Sequence, residues 1–71
     1  MAKEIKSNTT GTVWKILVKV GDTVSVDQDV LILESMKMEM MIPSEYSGKV
    51  KEIKVNIDDF VQEGDVVVVL E

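Results

Sequence analysis

Apolar and polar residues alternate with a period of two along several short stretches of the chain. Single residues separate Ile16, Val18 and Val20, and the same spacing recurs at Ile53, Val55 and Ile57. This spacing turns every second side chain to one face of an extended backbone, which is typical of half-buried β-strands. The apolar spacing of an amphipathic helix is missing from the sequence. The pattern therefore predicts an all-β protein.

Two further segments are continuously apolar instead of alternating. These are VLIL at 30–33 and VVVVL at 66–70. A short continuous apolar run is typical of a strand that is covered on both faces. We expect these two runs to be partner strands.

The chain repeats itself with an offset of 37 residues. Aligning residues 1–34 with 38–71 gives identical residues at twelve of thirty-four positions. The identical pairs are Met1/Met38, Ile5/Ile42, Ser7/Ser44, Gly11/Gly48, Val13/Val50, Ile16/Ile53, Val18/Val55, Asp22/Asp59, Val24/Val61, Val30/Val67, Leu33/Leu70 and Glu34/Glu71. One half is too short to close a core alone, whereas two related halves can cover each other. The repeat predicts a sandwich or flattened β-barrel of two four-stranded antiparallel sheets with pseudo-two-fold symmetry.

Each half also contains one interruption of the inward and outward alternation. The parity of the apolar positions slips between Val13 and Ile16, and again between Val50 and Ile53. A slip of one residue indicates a β-bulge or a corner at which a strand changes sheets.

The joint between the halves is the most unusual segment of the sequence. VLILE leads into it and EMMI leads out, which predicts a tight hairpin with its tip at 35–38 and with Met36 and Lys37 at the turn. Short hairpin turns require positive φ and favour Asn-Gly or Asp-Gly. Neither Met nor Lys suits that geometry. A local rule broken at one exposed place indicates a functional site.

Composition excludes several classes of function. The 71 residues include neither cysteine nor histidine, so disulfides, His- or Cys-based zinc sites and histidine-activated serines are excluded. Thirteen acidic residues against eight basic ones give a net charge of −5, which disfavours nucleic acid as a partner. The acidic pairs lack the spacing of a calcium loop, and no glycine-rich phosphate loop is present. We expect no metal, no catalytic residues and no membrane partner, and a cytoplasmic location.

The joint resembles the central motif of the biotinyl/lipoyl attachment domain family, in particular the biotin carboxyl carrier type. That motif, Glu-(Ala/Ser)-Met-Lys-Met, is matched by Glu34, Ser35, Met36, Lys37 and Met38. The flanking family pattern is present as GTV at 11, GDTV at 21 and GKV at 48. The resemblance covers residues 1–71 and implies a single domain with the barrel-sandwich hybrid fold of this family.

The resemblance also implies a function. In the family, biotin is joined by an amide to the lysine of the motif, here Lys37, and Glu34, Ser35, Met36, Met38 and Glu39 would form the recognition surface. An exposed lysine amine, with an ordinary pKa near 10.4, is almost fully protonated at neutral pH. A biotin protein ligase is therefore needed, and biotin carboxylase and carboxyltransferase are the further partners. The chain would be a carrier and not an enzyme.

Two departures from the common family pattern stand out. Asp58 occupies the position equivalent to Gly21, and Asp27 the position equivalent to Gly64. Aspartate tolerates left-handed backbone better than most residues, so we expect both turns to form. No insertion before Lys37 is long enough for the protruding thumb of some acetyl-CoA carboxylase carriers, so the chain resembles the thumbless type.

Two alternative functions remain open at this point. Lipoyl carriers share the architecture but usually have Asp-Lys-Ala at the tip, and modification by both biotin and lipoate is compatible with the resemblance. An unmodified structural module is the third possibility. Outside the motif, we expect Trp14 to face outward as cover for a strand edge, and Met40 or Met41, whichever points inward, to join the core.

Overall fold

Eight β-strands make up the regular secondary structure of the computed structural model, which describes residues 2–71. Met1, which the repeat pairs with Met38, lies outside the described residues. The strands are β1 (Lys3–Lys6), β2 (Gly11–Ile16), β3 (Thr23–Val24), β4 (Asp29–Ser35), β5 (Met38–Pro43), β6 (Gly48–Ile53), β7 (Phe60–Val61) and β8 (Val66–Leu70). In the part of the chain from Ala2 onwards, no helix is long and apolar enough to cross a membrane.

The strands form two antiparallel four-stranded sheets. One has the order β1-β8-β6-β3, and the other, which we call the tip sheet, has the order β5-β4-β2-β7. Strands β2 and β6 start and end 37 residues apart, as do β3 and β7. Each sheet therefore has the same arrangement built from equivalent strands. The predicted all-β fold with pseudo-two-fold symmetry is confirmed.

The two continuous apolar runs are not partner strands, and that prediction is wrong. β4 pairs with β2 and β5 in the tip sheet, whereas β8 pairs with β1 and β6 in the other sheet. Duplication explains the result, because equivalent strands take equivalent inner positions in different sheets. Leu33 of β4 and Leu70 of β8 are both fully buried and belong to one core cluster. The two runs are thus joined by packing and not by backbone pairing.

Both predicted irregularities are β-bulges. The register of β2 against β4 shifts between Val13 and Lys15, and that of β6 against β8 shifts between Val50 and Glu52. Trp14 is the extra residue of the first bulge and is 41% exposed, so it faces outward as expected. β7 pairs with β2 only at Gly11 and Thr12, so the role of Trp14 as cover for a strand edge stays a prediction.

The alternating stretches continue beyond the strands that they predict. β2 ends at Ile16 and β6 at Ile53, so the predicted strand character of the following residues up to Val20 and Ile57 is wrong. A turn explains each early end. The amide of Lys19 donates to the Asp22 carboxylate at 3.0 Å, and the amide of Asn56 donates to the Asp59 carboxylate at 2.8 Å. These hydrogen bonds fold the chain away from its sheet.

Aspartate replaces glycine at two turn positions without loss of the turn. Asp58 has a φ of 76° where Gly21 has 98°, and Asp27 has a φ of 72° where Gly64 has 93°. The expectation that aspartate would adopt the left-handed backbone is confirmed. Both halves therefore keep the same turns with different residues.

The core lies between the two sheets. It consists of buried aliphatic side chains from both halves, namely Ile5, Val13, Val18, Val24, Val30, Leu31, Leu33, Ile42, Val50, Val61, Val67, Val68 and Leu70. Aromatic side chains take no part in this cluster. With so narrow a range of side-chain sizes, the core depends on close packing of valine, leucine and isoleucine.

Candidate functional site

The hairpin between β4 and β5 turns at Met36 and Lys37. Ser35 and Met38 form the last residue pair of the hairpin, which leaves two residues for the turn. Met36 has a φ of 51° and Lys37 a φ of 65°. Positive φ at both central residues is the geometry of a type I′ turn. A side chain at such a position costs about 1 kcal/mol relative to glycine, so this turn is strained.

The side chains of the turn extend into solvent. Lys37 is exposed, and Met36 is 91% exposed. Within residues 2–71 the one ion pair joins Lys54 and Glu52, so no carboxylate holds the Lys37 amine. The structure thus presents a free primary amine at a defined point of the surface.

The base of the hairpin is firmly packed. Leu33 and Ile42, which flank it from inside, are fully buried. Gly11 of β2 lies so close to β4 that an added Cβ would be 2.9 Å from the Glu34 carbonyl oxygen. This approach is possible because glycine lacks a side chain. The exposed turn therefore projects from a rigid support, which fixes the position of Lys37.

The hairpin has two different faces. Ser35 and Met38 lie opposite each other on the side that continues the core face, and Ser35 is half-buried whereas Met38 is 64% exposed. Glu34 and Glu39 lie opposite each other on the outward side, and both are exposed. The sequence predicts these residues as one recognition surface; the structure divides the set between the two faces, with Met36 at the turn.

The other two methionines of β5 diverge in the same way. Met40 points inward and is half-buried, and its sulfur accepts a hydrogen bond from the Thr9 hydroxyl at 3.8 Å. It lies outside the core cluster and instead fastens the loop between β1 and β2. Met41 faces outward and is 45% exposed. Met40 is thus the methionine that points inward, but the expectation that this methionine joins the core is wrong.

Sequence reasoning missed the juxtaposition of Glu34 and Glu39. The signal was present, because a two-residue turn at Met36 and Lys37 forces residues equally distant from it into pairs. The outward partners of that pair in the same sheet were also missed. Thr12 pairs with Glu34, and Phe60 of β7 pairs with Thr12. Only the strand order places Phe60 in the row that contains the two glutamates.

Comparison with known proteins identifies the family. The biotin/lipoyl family model, described as "Biotin-requiring enzyme", matches residues 1–70. The chain belongs to this biotin/lipoyl attachment family. The exposed hairpin between β4 and β5 is the candidate functional site of this chain. The small size of the domain is consistent with a non-catalytic carrier.

The relatives of this biotin/lipoyl domain include a small attachment protein and a much longer enzyme component. The chain is 53% identical over 60 residues to the biotin/lipoyl attachment protein of Bacillus subtilis, covering 84% of this chain and 82% of that protein. It is 43% identical over 61 residues to the dihydrolipoyllysine-residue acetyltransferase component of the pyruvate dehydrogenase complex of Azotobacter vinelandii. That match covers 86% of this chain and 10% of the acetyltransferase component.

A solved structure matches the fold of this biotin/lipoyl domain over its full length. The urea carboxylase of Kluyveromyces lactis superimposes with a TM-score of 0.91 at 39% identity, over 100% of this chain and 6% of that chain. The domain thus resembles a small part of a carboxylase and a small part of an acetyltransferase component. These two relatives differ in the kind of enzyme of which the matching domain is a part.

Proposed function

We propose that Lys37 is the residue to which biotin is attached and that the domain is a biotin carboxyl carrier. The observation that carries this proposal is the complete motif from Glu34 to Met38 with its lysine exposed at a positive-φ turn. An exposed amine without an ion-pair partner fits covalent attachment, since neither desolvated contacts nor a buried salt bridge must be broken first.

Attachment requires a biotin protein ligase. The unprotonated Lys37 amine attacks the carboxyl carbon of an activated biotin, and the amide forms as the bond from that carbon to the activating group breaks and the activating group leaves with the electron pair. No base of this chain contacts the amine, because Met36 and Met38 flank Lys37 and, within residues 2–71, no carboxylate forms an ion pair with it. The ligase must therefore remove the proton, while the strained turn and its rigid base hold the amine in a fixed place.

Attached biotin supplies a ring nitrogen that accepts and releases a carboxyl group. The proposed partners are a biotin carboxylase and a carboxyltransferase, which would use the same carrier in turn in the cytoplasm. A tethered group meets each active site at a high effective concentration. Met36 and Met38 are soft, adaptable side chains that can pack against different partner surfaces.

Intact-mass measurement tests the proposal. The chain is co-expressed with a biotin protein ligase, and we expect one biotin per molecule, with Lys37 as the modified residue in peptide mapping. Lys37→Arg should abolish the modification, whereas Lys51→Arg, a matched exposed lysine, should leave it intact. An unmodified wild-type chain in the presence of active ligase would contradict the proposal.

A lipoyl carrier is the second candidate. The 43% identity to the Azotobacter vinelandii acetyltransferase component favours it. The residues that flank Lys37 favour biotin, because lipoyl domains usually have Asp and Ala where this chain has Met36 and Met38. Incubation with a lipoate ligase in parallel separates the cases. Lipoate alone identifies a lipoyl carrier, both groups identify a dual acceptor, and neither identifies an unmodified structural module.

A further inference from the structure

The outward faces of the two sheets differ although the two halves are related. The outer patch of the tip sheet consists of Trp14, Leu17, Ile32, Met41 and Phe60. Four of these side chains are at least 41% exposed, and Ile32 is covered by its neighbours outside the core cluster. The equivalent residues of the other half, 37 positions away, are Lys51, Lys54, Val69, Glu4 and Thr23. These five positions are thus apolar in the tip sheet and mainly polar in the other sheet.

Strand register places Ile32, Met41 and Phe60 on one surface of the tip sheet. Ile32 pairs with Met41 of β5 and with Lys15 of β2, and directly paired residues share a face of the sheet. Trp14 is next to Lys15 at the bulge, and the Lys15 ammonium nitrogen lies 4.8 Å from the centre of its ring. Phe60 lies one row nearer the tip, in the row of Glu34 and Glu39. The patch is therefore continuous with the acidic side of the hairpin.

The fold itself does not require these apolar residues. The other sheet has the same strands and the same bulge with charged residues at most of the equivalent positions. Val20 and Ile57 are a useful contrast, because these exposed residues are equivalent and apolar in both halves. Single exposed apolar residues are ordinary, whereas a contiguous set that only one half has indicates a contact outside the domain.

The outer patch lies close enough to Lys37 for one partner protein to contact both. Ile32 lies five residues before Lys37, with β4 ending at Ser35, and five residues span at most about 16 Å of extended chain. A standard protein interface covers roughly 800 Å² on each partner, equivalent to a disc with a radius of about 16 Å. A protein that binds the hairpin at the level of Glu34 and Glu39 can therefore contact both the tip and the outer patch.

We infer that the outer patch is the docking surface for the ligase that modifies Lys37. This inference rests on the proposed function. A ligase must bring the unmodified amine itself into its active site, so the reach of one lysine side chain limits its distance from the hairpin. Enzymes that act on the attached group can lie further from the hairpin, because the longer arm reaches them. The close-contact partner is thus the ligase, with an apolar surface flanked by basic side chains that face Glu34 and Glu39.

The two related halves supply the variants for the test. Trp14→Lys/Phe60→Thr gives the tip sheet the residues that the other half has at these positions. Lys51→Trp/Thr23→Phe makes the reciprocal change on the other sheet and is the matched control. The measurement is kcat/KM of a purified biotin protein ligase for each full-length variant. Far-UV circular dichroism and urea unfolding show that each variant is folded, and Phe60→Thr alone serves if the double variant is not.

We expect kcat/KM to fall at least tenfold for the tip-sheet variant, mainly through KM, and to stay within twofold of wild type for the control. Equal rates for both variants would overturn the docking surface and leave the proposed function intact. A wild-type chain that accepts no biotin would overturn both. Sedimentation of the same samples detects the other possible occupant: a wild-type dimer that Trp14→Lys/Phe60→Thr dissociates, without a change in labelling, would make the patch a self-association surface and overturn the inference.

Discussion

Glu34 and Glu39 lie directly opposite each other across the β4–β5 hairpin, three residues and two residues from the modified position proposed at Lys37. Both side chains are exposed on the outward face of the tip sheet. Like charges in directly opposed cross-strand positions destabilise a sheet. The pair therefore has a cost in stability, and it leaves an acidic site beside the tip to which basic side chains of a partner can bind.

Replacing one member of this pair is expected to stabilise the domain. Glu39→Lys converts repulsion into attraction and should raise the free energy of unfolding by about 0.5–1 kcal/mol at low salt. The gain should shrink at 1 M salt, because salt screens exposed charges. Urea unfolding at both salt concentrations measures the effect. Glu45→Lys, at an exposed loop position, is the control for the change in net charge, and an equal gain there would show that the pair is not the cause.

Met36 and Lys37 are expected to lower the stability of the domain, because both have positive φ in the turn that presents the amine. Met36→Asn/Lys37→Gly installs the residues that a type I′ turn favours and should raise the free energy of unfolding by about 1–2 kcal/mol, while abolishing modification. Met36→Asn alone should give roughly half of this gain and keep the acceptor lysine. Urea unfolding and intact mass report the two effects.

The control for the turn is Met38→Asn, which places the same side chain in β5 opposite Ser35. Asparagine has a low strand propensity, so this variant should not gain stability. If Met38→Asn stabilised the domain as much as Met36→Asn, relief of turn strain would not be the explanation.

The two equivalent glycines Gly11 and Gly48 are expected to tolerate alanine differently. A Cβ at Gly11 would lie 2.9 Å from the Glu34 carbonyl oxygen, whereas a Cβ at Gly48 would lie 3.3 Å from that of Glu71. Gly11→Ala must push β2 away from the base of the hairpin and should cost about 1–3 kcal/mol. Gly48→Ala should cost less, and urea unfolding of both variants measures the difference. An equal loss of unfolding free energy in both variants would show that β2 moves away from Glu34 as readily as β6 moves away from Glu71.

Much of this fold followed from local pattern. Alternating apolar positions indicated strands, the 37-residue repeat indicated two equivalent sheets, and the parity slips at Val13 and Val50 located both bulges. The motif around Lys37 singled out the hairpin. These features are readable because they depend on residues close in sequence, or on a comparison of the chain with itself.

The failures have a common cause. Pairing of 30–33 with 66–70 was inferred from shared apolarity, but apolar runs show that a strand is buried and not which strand lies beside it. The strand ends at Ile16 and Ile53 depended on turn hydrogen bonds made by Asp22 and Asp59. Periodicity contains no information about such bonds.

The sequence by itself determined that this chain is a duplicated all-β domain of the biotin/lipoyl type with one distinctive lysine between its halves. Tertiary structure alone decided which side chains share a surface with that lysine. It divided the motif between two faces of the hairpin and brought Phe60 into the row of Glu34 and Glu39. The physical reason is that sheet neighbours are set by backbone pairing between distant strands, and competition among strands for partners is settled only when the whole core packs.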